Sequence, residues 1–387
     1  MNKIKLGIFI GGYLPAKRFG GPVTSISNLV DNLGDDIEIY IVSHDHDRGD
    51  LTRLDGIQDG WNKVGKAQVK YINEKEFKVC NFVNILNEID VDVIYLSSVF
   101  YYQMNFPAIK AAKSLGIPII LAPRGELSDN ALHIGTLKKK LYFKYVNLIG
   151  LFKGISFQAT SDEEFSNIVK RFGVNKENVY LLPNFASVSV NKSVINKDSG
   201  SLRVLTLSRI LPNKNTLYSI KLIKRLQGNI IFDIYGPIEN EEYWNMCLEE
   251  MKNVPGNIKI SYRGALDLVE SKQIYLNYDC LILPTEFENY CQVIAESLLH
   301  DCPIIISRET TPWDDVSDFK AGDAIKIGED DKYINALEKV LNMDTDSYRD
   351  LVENVRQYVN YKIDNEGFKN KYLKMFSGVI SHSNHDK

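Results

Sequence analysis

The sequence predicts an α/β protein built as two doubly wound, Rossmann-like domains facing each other across a cleft. Three observations lead there. Short β-branched runs alternate with longer stretches of helical period. The alternation pauses once, in a polar segment that ends in glycine, and then resumes. Finally, the 387 residues exceed what one core usually holds, so two domains of roughly 150–200 residues are expected.

The first series of strands is read at Ile4–Ile10, Ile37–Val42, Val91–Leu96, Pro118–Leu121, Ile155–Gln158 and Val179–Leu182. Strands covered on both faces read as near-continuous apolar runs, as these do. Between them, Ile26, Leu29, Val30 and Leu33 make one helical stripe, and Phe82, Val83, Leu86 and Ile89 another. This gives a domain over 1–183. The polar stretch from Ser187 to Gly200 lacks a period, so residues 184–200 read as a linker. A second domain follows over 201–363, with strands at Arg203–Leu207, Ile230–Tyr235, Ile258–Ser261, Cys280–Leu283, Pro303–Ser307 and Ala324–Ile327. The segment Asp364–Ile380 reads as a terminal helix, and 364–387 as a return to the first domain with a frayed tail. In open α/β sheets, ligands bind beyond the C-terminal ends of the strands, which these domains turn toward their cleft.

Composition narrows the function classes. With 46 basic against 50 acidic residues, the net charge of -4 gives no electrostatic bias toward nucleic acid. The five cysteines, Cys80, Cys247, Cys280, Cys291 and Cys302, are scattered and without CxxC spacing. That argues for a reducing compartment and against a structural zinc centre. The N-terminal apolar run is short for a signal peptide, and no run reaches bilayer-spanning length. A cytoplasmic protein, placed at the inner face of the membrane, is expected.

Chemistry-bearing residues cluster after strands. In Ser208-Arg209-Ile-Leu-Pro-Asn-Lys214, Arg209 offers a planar donor fork and Lys214 a point charge at the start of a helix, a combination suited to a diphosphate. The alternative is a solvated loop with two ordinary cations. In Pro284-Thr-Glu-Phe-Glu288-Asn-Tyr-Cys-Gln-Val-Ile-Ala-Glu296, two carboxylates bracket a loop and a helix start. Glu296 lies in an otherwise apolar segment, where a carboxylate needs a partner or a ligand. Gly11, Gly12, Gly20 and Gly21 surround a strand-to-helix turn and permit backbone approach to phosphate or sugar. They lack GxGxxG spacing, which disfavours a dinucleotide oxidoreductase. Arg124 and Glu126 follow the strand ending at Leu121, and read equally as acceptor-site residues or as a mutual ion pair shaping the loop. The run His44-Asp45-His46-Asp47 is read as solvated loop rather than as a metal site. Asp90 and Asp92 form a loop-to-strand boundary and not a metal-binding DxD. Lysines 138, 139, 140, 144 and 153 among Leu, Tyr and Phe residues suit anionic lipid heads, or the solvated face of an ordinary helix.

Together these segments resemble family 4 of the retaining, GT-B-type glycosyltransferases (group 1), over nearly the whole chain. The subgroup assembling capsule, O-antigen or exopolysaccharide is the nearest in character. Its features include Val42–Asp50, Trp61–Gly65, Tyr235-Gly236-Pro237 and Thr310-Thr-Pro-Trp-Asp314. The resemblance implies that Glu288 contacts the donor sugar and Glu296 the nucleotide ribose. It implies that Arg209 and Lys214 neutralise the diphosphate, and that Gly20 and Gly21 face the donor phosphates. Asn289, Tyr290 and Cys291 would line the donor site, and Arg124 and Glu126 would act in the first domain ahead of His133. Departures are Tyr290-Cys291 where the family has Phe-Gly, and Pro123-Arg124-Gly125 where many members carry a histidine. The implied reaction moves a hexose or hexosamine from a UDP- or GDP-linked donor to a lipid-linked oligosaccharide, with no metal and no cofactor. Competing readings are a non-hydrolysing nucleotide-sugar epimerase and an inactive sugar-nucleotide binding protein.

Overall fold

A computed structural model describes residues 3–128, 136–187 and 196–385. They divide into two compact units. One comprises the described residues up to 187 together with those from 365 onward, and the other the described residues from 196 to 364. His133 and positions 188–195 of the polar segment lie outside the described residues.

The first unit is built on an eight-stranded sheet in the order β3-β4-β2-β1-β5-β6-β7-β8. The strands are β1 Lys5–Phe9, β2 Glu38–His44, β3 Trp61–Val64, β4 Ala67–Ile72, β5 Val93–Ser97, β6 Ile119–Ala122, β7 Ser156–Ala159 and β8 Val179–Leu181. All neighbours run parallel except β3, which is antiparallel to β4 at the edge. Crossover helices cover both faces. They include α1 Gly21–Leu33, α2 Val79–Ile89, α3 Tyr102–Leu115, α4 Thr136–Leu148 and α5 Asp162–Phe172. The expected stripe of α1 is buried, as are Phe82, Leu86 and Ile89 of α2, while Val83 is half-buried.

Two of these strands were not expected. The stretch from Trp61 to Ile72 alternates apolar with Lys, Asn and Gln, because β3 is an edge strand and β4 lies next to it. The turn between them uses Gly65 at φ 57°, where a glycine avoids the Cβ clash. Asp90 closes α2 in the left-handed region (φ 58°) and Asp92 accepts the Lys5 amide at 2.8 Å, so this pair does finish a helix and start a strand.

The second unit has six parallel strands in the order β11-β10-β9-β12-β13-β14. They are β9 Ser201–Leu207, β10 Asn229–Tyr235, β11 Ile258–Gly264, β12 Cys280–Leu283, β13 Ile304–Ser307 and β14 Gly322–Ile325. Val204, Phe232 and Ile282 pack on one face of this sheet, and Leu205, Leu281 and Ile304 on the other. Helices α6 Thr216–Ile223, α7 Glu241–Met251, α8 Leu268–Gln273, α9 Gln292–Leu299, α10 Asp330–Leu341 and α11 Thr345–Lys362 complete it. The last helix, α12 Asn365–His385, belongs to the first unit and buries Tyr372, Met375, Phe376 and Val379 against residues that include Leu6, Tyr95 and Phe185. Among the described residues, no helix is long and apolar enough to cross a membrane.

Candidate functional site

In the second unit, β9 ends at Leu207 and the chain turns through Ser208 and Arg209. This turn is zipped to the loop after β10: Ser208 N donates to Tyr235 O (3.0 Å) and Ile210 N to Pro237 O (2.9 Å). Gly236 makes that approach possible. It sits at φ 138°, and a Cβ built there would lie 1.8 Å from Ser208 O. The sequence marked this glycine only as part of a family-like motif. Arg209 Nη1 then reaches Glu239 at 3.0 Å.

The chain continues through a short turn, Pro212–Lys214. Lys214 is 6% exposed, and its ammonium forms an ion pair with the Glu288 carboxylate. A charge so far out of water requires such a partner. The two loops that bring them together share backbone bonds. Glu286 N donates to Asn213 O (2.9 Å) and Asn215 Nδ2 to Pro284 O (2.9 Å). Glu288 N is fixed by Thr310 O at 2.8 Å. Trp313 Nε1 donates to Tyr290 O at 2.6 Å. The Thr310–Trp313 segment, otherwise only a family-like stretch, thus positions the acidic loop.

Half-buried Asn289, buried Tyr290 and Cys291 lead from Glu288 into α9. Cys291 occupies the N-cap in the left-handed region, φ 59° and ψ 80°. This is the conformation for which glycine is the usual residue. Burial pushes its thiol well above the ordinary range, so it stands there as a neutral thiol rather than a thiolate nucleophile. Glu296 follows within α9 and is 4% exposed. It is therefore not a solvent-facing helix residue. The structure brings Lys214 and Glu288 together, gives Arg209 to Glu239, and buries Glu296 within α9.

The first unit arranges its residues differently. Arg124 has φ 54°, and its guanidinium donates to Ser97 Oγ (3.0 Å), Asn184 Oδ1 (2.7 Å) and Tyr95 OH (3.0 Å). Glu126 accepts from Ser98 Oγ (2.7 Å), Val99 N (2.6 Å) and Phe100 N (3.3 Å), and burial raises its pKa. Each side chain braces a different part of the strand-end loops, so of the two readings the mutual ion pair gives way to two separate sets of bonds. Gly20 caps α1 at φ 64° and Gly21 opens that helix, both with open space where a Cβ would stand. Nearby, the His44–Asp47 run is not a solvated loop. His44 is 3% exposed, and burial lowers its pKa to about 4. Asp47 accepts the Lys17 and Arg18 amides at 2.8 and 3.0 Å. On α4, Lys138, Lys140 and Lys144 are exposed together with Leu141, Tyr145 and Leu148, the last at 83%.

Residues 188–358 match the family model described as Glycosyl transferases group 1. No curated protein matches the chain in sequence. Among solved structures, HepE (Alr3699) of Anabaena, determined with UDP and glucose, superposes with a TM-score of 0.72 at 14% identity, covering 97% of this chain and 100% of that one. A sucrose-phosphate synthase from Thermosynechococcus elongatus gives 0.73 at 13% identity, over 98% and 100%. WaaG, described as a glycosyltransferase of lipopolysaccharide biosynthesis, gives 0.65 at 12% identity, over 96% and 100%. At these identities the structural likeness establishes the fold. The chain has the GT-B fold of two Rossmann-like units, and the group 1 glycosyl transferase match covers the unit that holds Lys214, Glu288 and Glu296.

Proposed function

We propose that the chain is a retaining glycosyltransferase that moves a hexose or hexosamine from a UDP- or GDP-linked sugar to a hydroxyl of a lipid-linked oligosaccharide, in bacterial surface-polysaccharide synthesis. The observation that carries this reading is the pair of buried Lys214 and half-buried Glu288 at the strand ends of the family-matched unit. A donor diphosphate offers Lys214 a new anionic partner. Glu288 is then released to accept hydrogen bonds from sugar hydroxyls. Arg209 adds a second cation, and amides at the start of α9 add donors where charge develops on the leaving group. Glu296 is assigned to the ribose. The C1–oxygen bond to the diphosphate breaks and its electron pair goes to the phosphate oxygen. The acceptor hydroxyl attacks from the same face, and its proton passes to that departing oxygen.

HepE's complex with UDP and glucose and WaaG's place in lipopolysaccharide biosynthesis are consistent with this donor class and setting. The exposed Leu141, Tyr145 and Leu148 beside lysines on α4 support peripheral contact with an anionic membrane at the cytoplasmic face. The test is turnover of a panel of UDP-, GDP- and ADP-sugars with membrane glycolipid extract and EDTA, scoring released nucleotide and modified lipid. Extract-dependent consumption of one donor is expected. Saturable nucleotide binding with no turnover of any donor would overturn the transferase reading. Co-sedimentation with anionic but not zwitterionic vesicles, reduced in Lys140→Glu/Lys144→Glu, checks the membrane contact.

A further inference from the structure

The loops leaving β2 and β4 hold a cluster that the donor chemistry does not use. His44 ends β2, and His46 lies two residues on, so the extended chain turns both rings to one side. Glu74 lies two residues beyond the end of the neighbouring strand β4, whose Ile72 pairs with His44. The pairing of two parallel strands therefore delivers a carboxylate to two imidazoles from a distant part of the sequence, which adjacent-residue spacing alone does not reveal. Glu74 Oε1 is 3.8 Å from His44 Nε2 and 3.9 Å from His46 Nε2, and one donor atom from each of the three residues lies within 4.8 Å of the others. His46 Nδ1 meets Asp45 Oδ1 at 2.8 Å. With Nδ1 donating in that bond, Nε2 is the ring nitrogen left to ligate, the arrangement in which metal-ligating histidines are held.

We propose that His44 Nε2, His46 Nε2 and a Glu74 carboxylate oxygen form a site for a divalent transition-metal cation of the zinc type, with Asp45 orienting His46. Two neutral imidazoles and one carboxylate are a donor set that such cations take, with the fourth position open to water or a ligand hydroxyl. Bonds of about 2.0–2.1 Å require the donors to close by roughly 1 Å. Glu74 is half-exposed on its own turn, which leaves its carboxylate room to move toward the imidazoles. The Tyr101 hydroxyl, which now meets His44 Nε2, must move off it. The bound ion would tie the loop after β2 to the one after β4, and through Asp47 it would steady residues 17 and 18 of the glycine-rich turn. This site is independent of the donor reading.

The experiment titrates the full-length, untagged chain, freed of metal with a chelator and then of the chelator. The probes are zinc chloride by calorimetry and cobalt chloride by visible absorption. The expected result is one saturable equivalent and cobalt d–d bands. Both should be lost in His46→Ala and in Glu74→Gln, and affinity should fall roughly 10–100-fold in Asp45→Asn. Glu74→Gln changes a half-exposed side chain, so its unaltered melting profile without metal keeps the test valid if His46→Ala folds poorly. Absence of saturable binding, or the same equivalent persisting in Glu74→Gln, would overturn the site.

Discussion

In the second unit, Lys214 and Glu288 hold each other, and in the proposed reading a diphosphate and a sugar each replace one partner. In the first unit, Arg124 and Glu126 lie two positions apart yet do not serve one another. The guanidinium braces Ser97, Asn184 and Tyr95, while the carboxylate gathers the Ser98–Phe100 loop. Both sites stand at strand ends of a doubly wound sheet. They differ in whether charge is met by opposite charge or by neutral donors and acceptors. A charge pair can exchange partners for a charged ligand, whereas a carboxylate holding three neutral donors is part of the scaffold.

The sharpest way to break this comparison is at Lys214. Lys214→Ala removes the cation assigned to the leaving diphosphate and leaves Glu288 without its partner. Donor turnover should fall roughly 10²–10³-fold, read as kcat/KM for nucleotide release. Lys214→Arg should not restore it, because the planar fork cannot enter the buried space of a point charge. Wild-type turnover in Lys214→Ala would show that the pair is as structural as Glu126.

Gly236→Ala comes next, and it tests the frame rather than the charges. The new Cβ would collide at φ 138° with Ser208 O, a backbone atom of the residue whose amide donates to Tyr235 O. A loss of about 3 kcal/mol in urea unfolding is expected, near the upper end of the overpacking range. Reduced donor binding should accompany it, since Arg209 adjoins the displaced atom. An Ala variant with wild-type stability and binding would mean that the loop yields freely and does not position Arg209.

Glu126→Ala sharpens the contrast from the other side. It strips the Ser98 hydroxyl and the Val99 and Phe100 amides of one acceptor. It should lower stability by about 2 kcal/mol, measured by urea unfolding, and should leave donor affinity in the second unit unchanged. A variant of wild-type stability that fails only in transfer to acceptor would give Glu126 the catalytic role the sequence resemblance suggested.

The alternation of apolar runs and helical stripes made most of both sheets legible, because strands buried on two faces carry their own signal. Trp61–Ile72 escaped, since an edge hairpin needs no continuous apolar run. Arg209, Lys214, Glu288 and Glu296 were legible as strand-end or helix residues with unmet charge. That Lys214 would meet Glu288 while Arg209 turned to Glu239 was not, because loop-to-loop bonds such as Glu286 N to Asn213 O decide it. Gly236 and Thr310 were visible as motif members, but their work is backbone contact, which side-chain chemistry does not reveal.

The smallest effect is expected at Cys291. The residue opens α9 with φ 59°, next to Glu288, where the resembling family carries glycine. A left-handed non-glycine residue costs roughly 1–2 kcal/mol, and glycine gives back roughly 0.5–1 kcal/mol through its freer unfolded chain. Cys291→Gly should therefore stabilise the second unit by about 1 kcal/mol or less, seen as a small rise in the urea midpoint at constant slope. The same change removes a half-buried thiol beside the Lys214–Glu288 pair and frees the first amides of α9 for closer approach, so donor KM should fall while kcat stays within a few-fold. If stability rises and KM does not change, the cysteine is only a strained tolerance of the loop. If KM rises instead, the thiol contributes to holding the donor, and the ion pair is not sufficient to define that side of the site.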